Sequence, residues 1–294
     1  MKREDLSENS VTKRISEQNG VSLDTILQFR EDYRQKKVTF LDFAKMKRHH
    51  PFYGFLPFCI DELEFVMFHA NDDVVAWELL WTGTYEGEIT KTWVEWCRGA
   101  NLIYDIGAYT GLMSVLGALA NPNATIHLVE PMDRTIERAK INIVVNGISR
   151  RVKLHNRAAS NKNGTETILM TRNEDFLGTG NSIYNKGMPV MAEKLIQCVR
   201  IDEHLPDLCP DVVKIDVEGH ERACLEGMIE TLTRARPKLL LESWAHDREA
   251  VMALLHSLGY ECSPFELGSE CSPPEAAYPR VINYKCIPRP DWKA

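Results

Sequence analysis

The stretch from Leu102 to Gly111 constrains this chain more than any other. A short apolar run, Leu102-Ile103-Tyr104, leads into Asp105, and a turn spaced by Gly107 and Gly111 opens onto the apolar segment Leu112 to Ala120. Strand, tight turn and helix in that order form the nucleotide-binding unit of an open α/β sheet. Glycine suits such a turn because the backbone bends sharply and lets a ligand approach, and a Cβ obstructs both. The N–H groups and positive dipole end of the following helix then face an anionic group. The stretch predicts a site for a nucleoside-bearing cofactor.

Beyond residue 100, strand and helix signals alternate. They predict an α/β fold, a doubly wound, mostly parallel Rossmann-like sheet. Strands are expected at 102–106, 125–130, 152–156, 212–216 and 239–242, with helices at 112–120, 133–145, 221–232 and 248–258. Two last strands, near 260–265 and 281–287, suit an antiparallel pair at one edge. The long insertion from Ser160 to Arg200 reads as a hairpin with a loop, and Gly178, Gly180 and Gly187 suit either a lid over an acceptor or a passive surface loop. Residues 1–20 read as a mobile tail and 21–97 as an N-terminal α+β cap, leaving 98–294 as the cofactor-binding domain. Within the cap, Phe55 to Phe68 and Val74 to Trp81 read as strands joined by Asn71-Asp72-Asp73.

The composition, 44% hydrophobic and 26% charged, is that of an ordinary globular protein. A net charge of −7 argues against a nucleic-acid partner. No apolar run is long enough to span a membrane, and residues 1–20 lack the apolar core of a secretory signal, so a cytoplasmic protein with no membrane partner is expected. The eight cysteines form no Cys-x-x-Cys pair, which predicts reduced thiols. A homo-oligomer and a monomer are both compatible with the sequence.

The cofactor follows from charge. A dinucleotide fingerprint carries three glycines, whereas Gly107-Ala108-Tyr109-Thr110-Gly111 has two, and Asp105 stands two residues before the first. An acid there suits an ammonium group and repels a pyrophosphate. S-adenosyl-L-methionine carries such a group on its amino-acid tail. Glu130, ending the second strand, is placed to accept from both ribose hydroxyls, and Asn156, Ala158 and Ala159, after the third, lie where an adenine is held. A nicotinamide-dependent oxidoreductase remains the competing reading, because an acid after the second strand serves its ribose too. A non-catalytic cofactor-binding protein is a third.

Further along, Lys214-Ile215-Asp216-Val217-Glu218-Gly219-His220-Glu221 continues to Leu225-Glu226-Gly227. This segment resembles the K-I-D-x-E-G-x-E…L-x-G signature of the FkbM-type methyltransferases, a class I S-adenosylmethionine-dependent family. Asp105, Gly107, Ala108 and Gly111 match the family's cofactor turn, with Tyr109 where asparagine is common. Tyr85-Glu86, Val199 to Asp202 and Leu240-Leu241-Glu242 also resemble family positions, and the resemblance spans roughly residues 65–265. It implies methyl transfer to a hydroxyl of a sugar, glycan or polyketide-type metabolite, with Tyr85, Glu86 and Asp216 joining the turn as cofactor-binding residues.

Methyl transfer from a sulfonium is an in-line displacement, and a positioned base helps a hydroxyl attack. Asp216 is the first candidate for base or orienting group, Glu218 and Glu242 follow, and His220 has a suitable ordinary pKa but reads as an exposed residue at a helix start. Gly219 suggests that Asp216 and Glu218 diverge. The three carboxylates also form a hard-oxygen set for a divalent cation, with the metal-free reading preferred. Lys214 reads as a partner for a neighbouring carboxylate and Glu221 as a favourable charge at a helix N-terminus. Tyr85, Tyr109 and Trp244 are candidates to flank the sulfonium, whereas Trp77, Trp81, Trp93 and Trp96 read as core.

Overall fold

The computed structural model describes residues 8–170, 177–178, 181–185, 187, 189–265 and 281–292. Residues 1–7, Gly180 and Cys271 lie outside them. Three helices open the chain, α1 (Glu8–Asn19), α2 (Leu23–Arg34) and α3 (Phe40–His49), followed by a hairpin of β1 (Tyr53–Ile60) and β2 (Leu63–Ala70) and by α4 (Val74–Thr82) and α5 (Gly87–Cys97). The main sheet begins with β3 (Leu102–Ile106), α6 (Leu112–Ala120), β4 (Thr125–Val129), α7 (Asp133–Val145) and β5 (Val152–His155). The inserted small sheet comprises β6 (Ala158–Ala159), β7 (Gly164–Met170) and β8 (Ala192–Val199), and α8 (Ile201–His204) leads out of it. The remaining elements are β9 (Val212–Ile215), α9 (Glu221–Glu226), α10 (Ile229–Ala235), β10 (Lys238–Trp244), α11 (Arg248–Ser257), β11 (Tyr260–Pro264) and β12 (Val281–Pro288).

The seven-stranded sheet has the order β11-β12-β10-β9-β3-β4-β5. Strands β5, β4, β3, β9 and β10 run parallel, and β12 lies antiparallel between β10 and β11. This is the expected doubly wound architecture with an antiparallel C-terminal pair. The order reverses between β3 and β9, which opens a ligand crevice beyond the strands' carboxyl ends. Helices α5, α6 and α7 cover one face, and the same apolar cluster reaches Ile15, Phe29 and Phe52 of the N-terminal region. Helices α9 to α11 cover the other.

Four local expectations need correction. Residues 8–19 are helical and not a tail: Thr12 and Ile15 are buried, and Arg30 donates to Thr12 Oγ1 at 2.7 Å. The strand pair closes earlier than expected, turning at Asp61 and Glu62, both with positive φ. Val74 to Thr82 is accordingly a helix, capped by the Asp73 carboxylate accepting from Val75 and Ala76 and ended by Gly83 at φ 78°. Its apolar run is buried nearly all round, so no period separates helix from strand. The helix expected over 221–232 breaks at Gly227, where a Cβ would overlap the Ser160 carbonyl oxygen. Finally, Cys262 and Cys286 face each other across β11 and β12, with Cα atoms 4.0 Å apart, and form a disulfide that the reduced-thiol expectation missed. No helix among the described residues is long and apolar enough to cross a membrane.

Candidate active site

Side-chain alternation along β3, β9 and β10 builds the site. In a parallel sheet, residues in register project to one face. Ile106, Ile215 and Leu241 are in register and sink into the apolar layer beneath α9 to α11. Asp105, Lys214 and Leu240, also in register, project to the opposite face, and Asp216 and Glu242 follow two residues on. That face carries an ionic ladder: Lys214 Nζ lies 2.7 Å from Asp216 Oδ2, and Ser114 Oγ donates to Asp105 Oδ2 at 2.7 Å. Burial works against the Lys214 charge, but the carboxylates of Asp216, Glu86 and Asp105 hold its pKa above the ordinary lysine value.

At the top of the ladder, Glu86, Asp216 and Glu242 bring carboxylate oxygens within 4.8 Å of one another. Burial, reinforced by Asp216, Glu218 and Glu86, pushes the Glu242 pKa well above the usual carboxylate range. Trp244 Nε1 donates to Glu242 Oε1 at 3.1 Å, so this indole orients an acid and does not line the cleft. The oxygen set that could hold a divalent cation is thus Glu86, Asp216 and Glu242; Glu218, expected in it, is displaced by the chain reversal at Glu218 (φ 56°) and Gly219 (φ 97°). Lys214 competes with any cation for the same charge.

Asp216 and Glu218 face a cleft with about 810 Å³ of empty space. Gly107, Tyr109 and Tyr85 form one side, Glu130 and Met132 another, and Ala158 and Ala159 a third. Glu130 is held by two backbone donors, Tyr109 N–H on Oε2 at 3.1 Å and Met132 N–H on Oε1 at 2.9 Å. Each oxygen keeps a lone pair for a ligand hydroxyl. Burial raises the Glu130 pKa to about 8. The apolar side chains Met132, Ala158, Ile168 and Ile196 pack together beside it.

Other expected residues pack within the protein or stand at the cleft wall. Asp105 is buried against Ser114 and Lys214 and is not among the residues that line the cleft. The space at Gly107 (φ 77°) is taken by protein: a Cβ there would overlap the Asp216 carbonyl oxygen. Gly111 (φ 83°) lets α6 start against α7, where a Cβ would stand 3.2 Å from that of Ala139. Ala108 is buried behind the turn. Asn156 donates to the Glu130 and Pro131 carbonyls and so shapes the cleft without lining it; its neighbour Arg157 does line it. His220 is half-buried at the cleft wall, 3.0 Å from Ser160 Oγ through Nε2, and burial lowers its pKa. Glu221 is fully buried and accepts from Gly219 N–H at 2.8 Å, bracing the reversal. Trp81 and Trp93 are core residues, as expected.

One contributor had no signal in the sequence. Asn181, on the connection between β7 and β8, lines the cleft at 8% exposure, and neither its amide oxygen nor its nitrogen has a hydrogen-bond partner among the described residues.

The model of the methyltransferase FkbM domain family matches residues 105–262, more than half of the chain. No curated protein matches it. Among solved structures it is similar to the methyltransferase FkbM of Methylobacillus flagellatus KT, with 14% identity, a TM-score of 0.43, and 72% of this chain and 52% of that chain covered. It is also similar to the precorrin-6y C5,15-methyltransferase of Geobacter metallireducens GS-15, with 16% identity, a TM-score of 0.42, and 69% and 90% covered. A putative O-methyltransferase of Klebsiella pneumoniae shares 11% identity at a TM-score of 0.42, with 70% and 82% covered. With both signature segments meeting at one cleft, from Asp105 on β3 and from Lys214 on β9, the chain belongs to the methyltransferase FkbM domain family of S-adenosylmethionine-dependent enzymes.

Proposed function

We propose that this protein transfers the methyl group of S-adenosyl-L-methionine to a hydroxyl of a small acceptor, a sugar or glycan or a polyketide-type metabolite, with a carboxylate receiving the proton. The observation that carries the reading is the convergence of Glu86 and Glu242 on Asp216, which lines the cleft, with the charge balanced only in part by Lys214. Their net negative charge suits a cationic cofactor and opposes a pyrophosphate, which speaks against the oxidoreductase alternative. The cleft residues fit S-adenosylmethionine: Glu130 for ribose hydroxyls, the apolar group around Met132 for a purine, and the acidic ladder for the cationic end.

When bound, the cofactor supplies a methyl carbon on a positively charged sulfur. Asp216, oriented by Lys214, accepts the hydrogen bond of the attacking hydroxyl at the cleft wall. The proton released as the methyl group leaves sulfur for that oxygen would be received at the Asp216 carboxylate, whose charge Lys214 offsets. His220, held neutral by burial and tied to Ser160, shapes the wall.

Methyl-labelled cofactor incubated with the protein and an extract of its source cells, followed by mass spectrometry, is expected to give a product labelled on oxygen; label on carbon or nitrogen overturns the hydroxyl acceptor. With that acceptor, Asp216→Asn is expected to lower turnover about 100-fold or more, a larger effect than on cofactor affinity. Intact turnover in Asp216→Asn with loss in His220→Asn would transfer the base role to His220.

A further inference from the structure

We propose that Asn181 reads the edge of the cofactor's purine base, so that the inserted hairpin, in addition to the sheet edge, selects the nucleoside. The inference rests on the cofactor reading above. A primary amide nine-tenths buried with both polar atoms unmatched is costly, and a ligand that supplies a donor and an acceptor removes the cost. Adenine presents that pair, an exocyclic amine beside a ring nitrogen acceptor, and an amide meets both at once.

The amide is built into place. Next to it, Ser182 exchanges two backbone hydrogen bonds with Leu169, at 2.8 and 3.1 Å, and its Oγ donates to the Glu218 carbonyl at 2.5 Å. Asn181 N–H donates to the Gly178 carbonyl at 3.3 Å. Gly178 has φ 83°, and a Cβ there would overlap the Asn181 amide nitrogen, so the side chain lies flat across the glycine. The stretch is anchored over the start of α7, where Leu177 N–H donates to the Asp72 carbonyl at 3.0 Å and the Leu177 carbonyl accepts from Thr135 Oγ1 at 3.5 Å.

Surroundings select the base over the other parts of the cofactor. The acidic trio lies at the Asp216 side and Glu130 serves the sugar, whereas Asn181 shares the cleft with the apolar packing of Met132, Ala158, Ile168 and Ile196. An apolar slot with one amide at its rim suits a flat heterocycle that carries polar atoms only on its edge. The amino-acid tail, charged at both groups, does not suit such a slot.

The test is calorimetric titration of S-adenosylhomocysteine, and of its analogue lacking the 6-amino group, into wild-type protein and Asn181→Leu. Removal of the amine is expected to weaken wild-type binding about tenfold and to leave Asn181→Leu unchanged within about twofold. Equal losses in both proteins overturn the assignment of Asn181 while leaving the cofactor reading intact. Absence of any S-adenosylhomocysteine binding by the wild type overturns the cofactor reading and this proposal with it. Asn181→Asp, nearly the same size, covers the case in which the leucine variant misfolds. It keeps an acceptor and loses the donor, and is expected to bind S-adenosylhomocysteine about tenfold more weakly at an unchanged unfolding midpoint; unaltered affinity overturns the proposal.

Discussion

The two faces of β3, β9 and β10 come from the same strands in alternation, yet they hold together by different physics. One face, Tyr104, Ile106, Val213, Ile215, Leu239 and Leu241, is apolar apart from the Tyr104 hydroxyl and is buried under α9 to α11. The other carries Asp105, Lys214, Asp216 and Glu242 among its apolar residues and ends at the cleft. Buried area stabilises the first face and asks little of exact partners. Charges on the second are desolvated, and Lys214 offsets only part of that cost. The difference teaches that the ionic face is retained for what happens at its open end, since an apolar ladder would hold the sheet as well or better.

Substitution of Lys214 should break the comparison most sharply. Lys214→Met leaves Asp105 and Asp216 without their cation and is expected to cost about 3–5 kcal/mol in urea unfolding. A loss below about 1 kcal/mol would mean that the ladder is solvated and the two faces are alike.

Proton linkage gives the next effect and separates an acid behind the apolar face from one in the cleft. Burial raises both Glu221 and Glu130 to about 8. Between the unfolded glutamate pKa of about 4.5 and that value, the folded protein keeps protons that the unfolded chain has released. Their stabilisation is therefore full below about pH 4.5 and lost as pH rises through about 8, with a slope of at most about 1.4 kcal/mol per pH unit for each group. Glu221→Gln and Glu130→Gln should each flatten the fall in stability between about pH 5 and 8.5. Added S-adenosylhomocysteine should alter only the Glu130 share, and a flat wild-type profile would contradict both shifts.

The smallest effect is expected on the apolar face. Ile215→Val should cost about 1 kcal/mol and leave cofactor affinity unchanged. A change in affinity would mean that the apolar layer also positions the site.

Much of the main sheet was legible in the sequence because strand and helix periods alternate over residues 102–258. The signature segments also marked the strand ends that meet at the cleft. Positions along a strand were readable, but what packs against each face was not. Asp105 therefore turned out to serve Lys214 and Ser114, and the gap at Gly107 turned out to hold the Asp216 backbone. The all-apolar run Val74 to Trp81 hid a helix because burial on every side erases the period. Pairing of Cys262 with Cys286 depends on strand register, and the orphaned amide of Asn181 depends on where the long connection between β7 and β8 folds back over α7. Neither leaves a local pattern in the chain.

The alternation that separates the two faces also acts as a lock on strand alignment. A shift of β9 by one residue against β3 or β10 would turn Lys214 into the layer of Tyr104, Leu239 and Leu241 and carry Ile215 toward the carboxylates. Parallel strands are otherwise permissive, because their uniformly apolar sequences pair almost as well one step out of place. Here a misaligned sheet would strand a cation in hydrocarbon, with no acid in reach. Charge kept for chemistry thereby rejects the wrong pairings during assembly, when Asp105 must find a partner more than a hundred residues away along the chain.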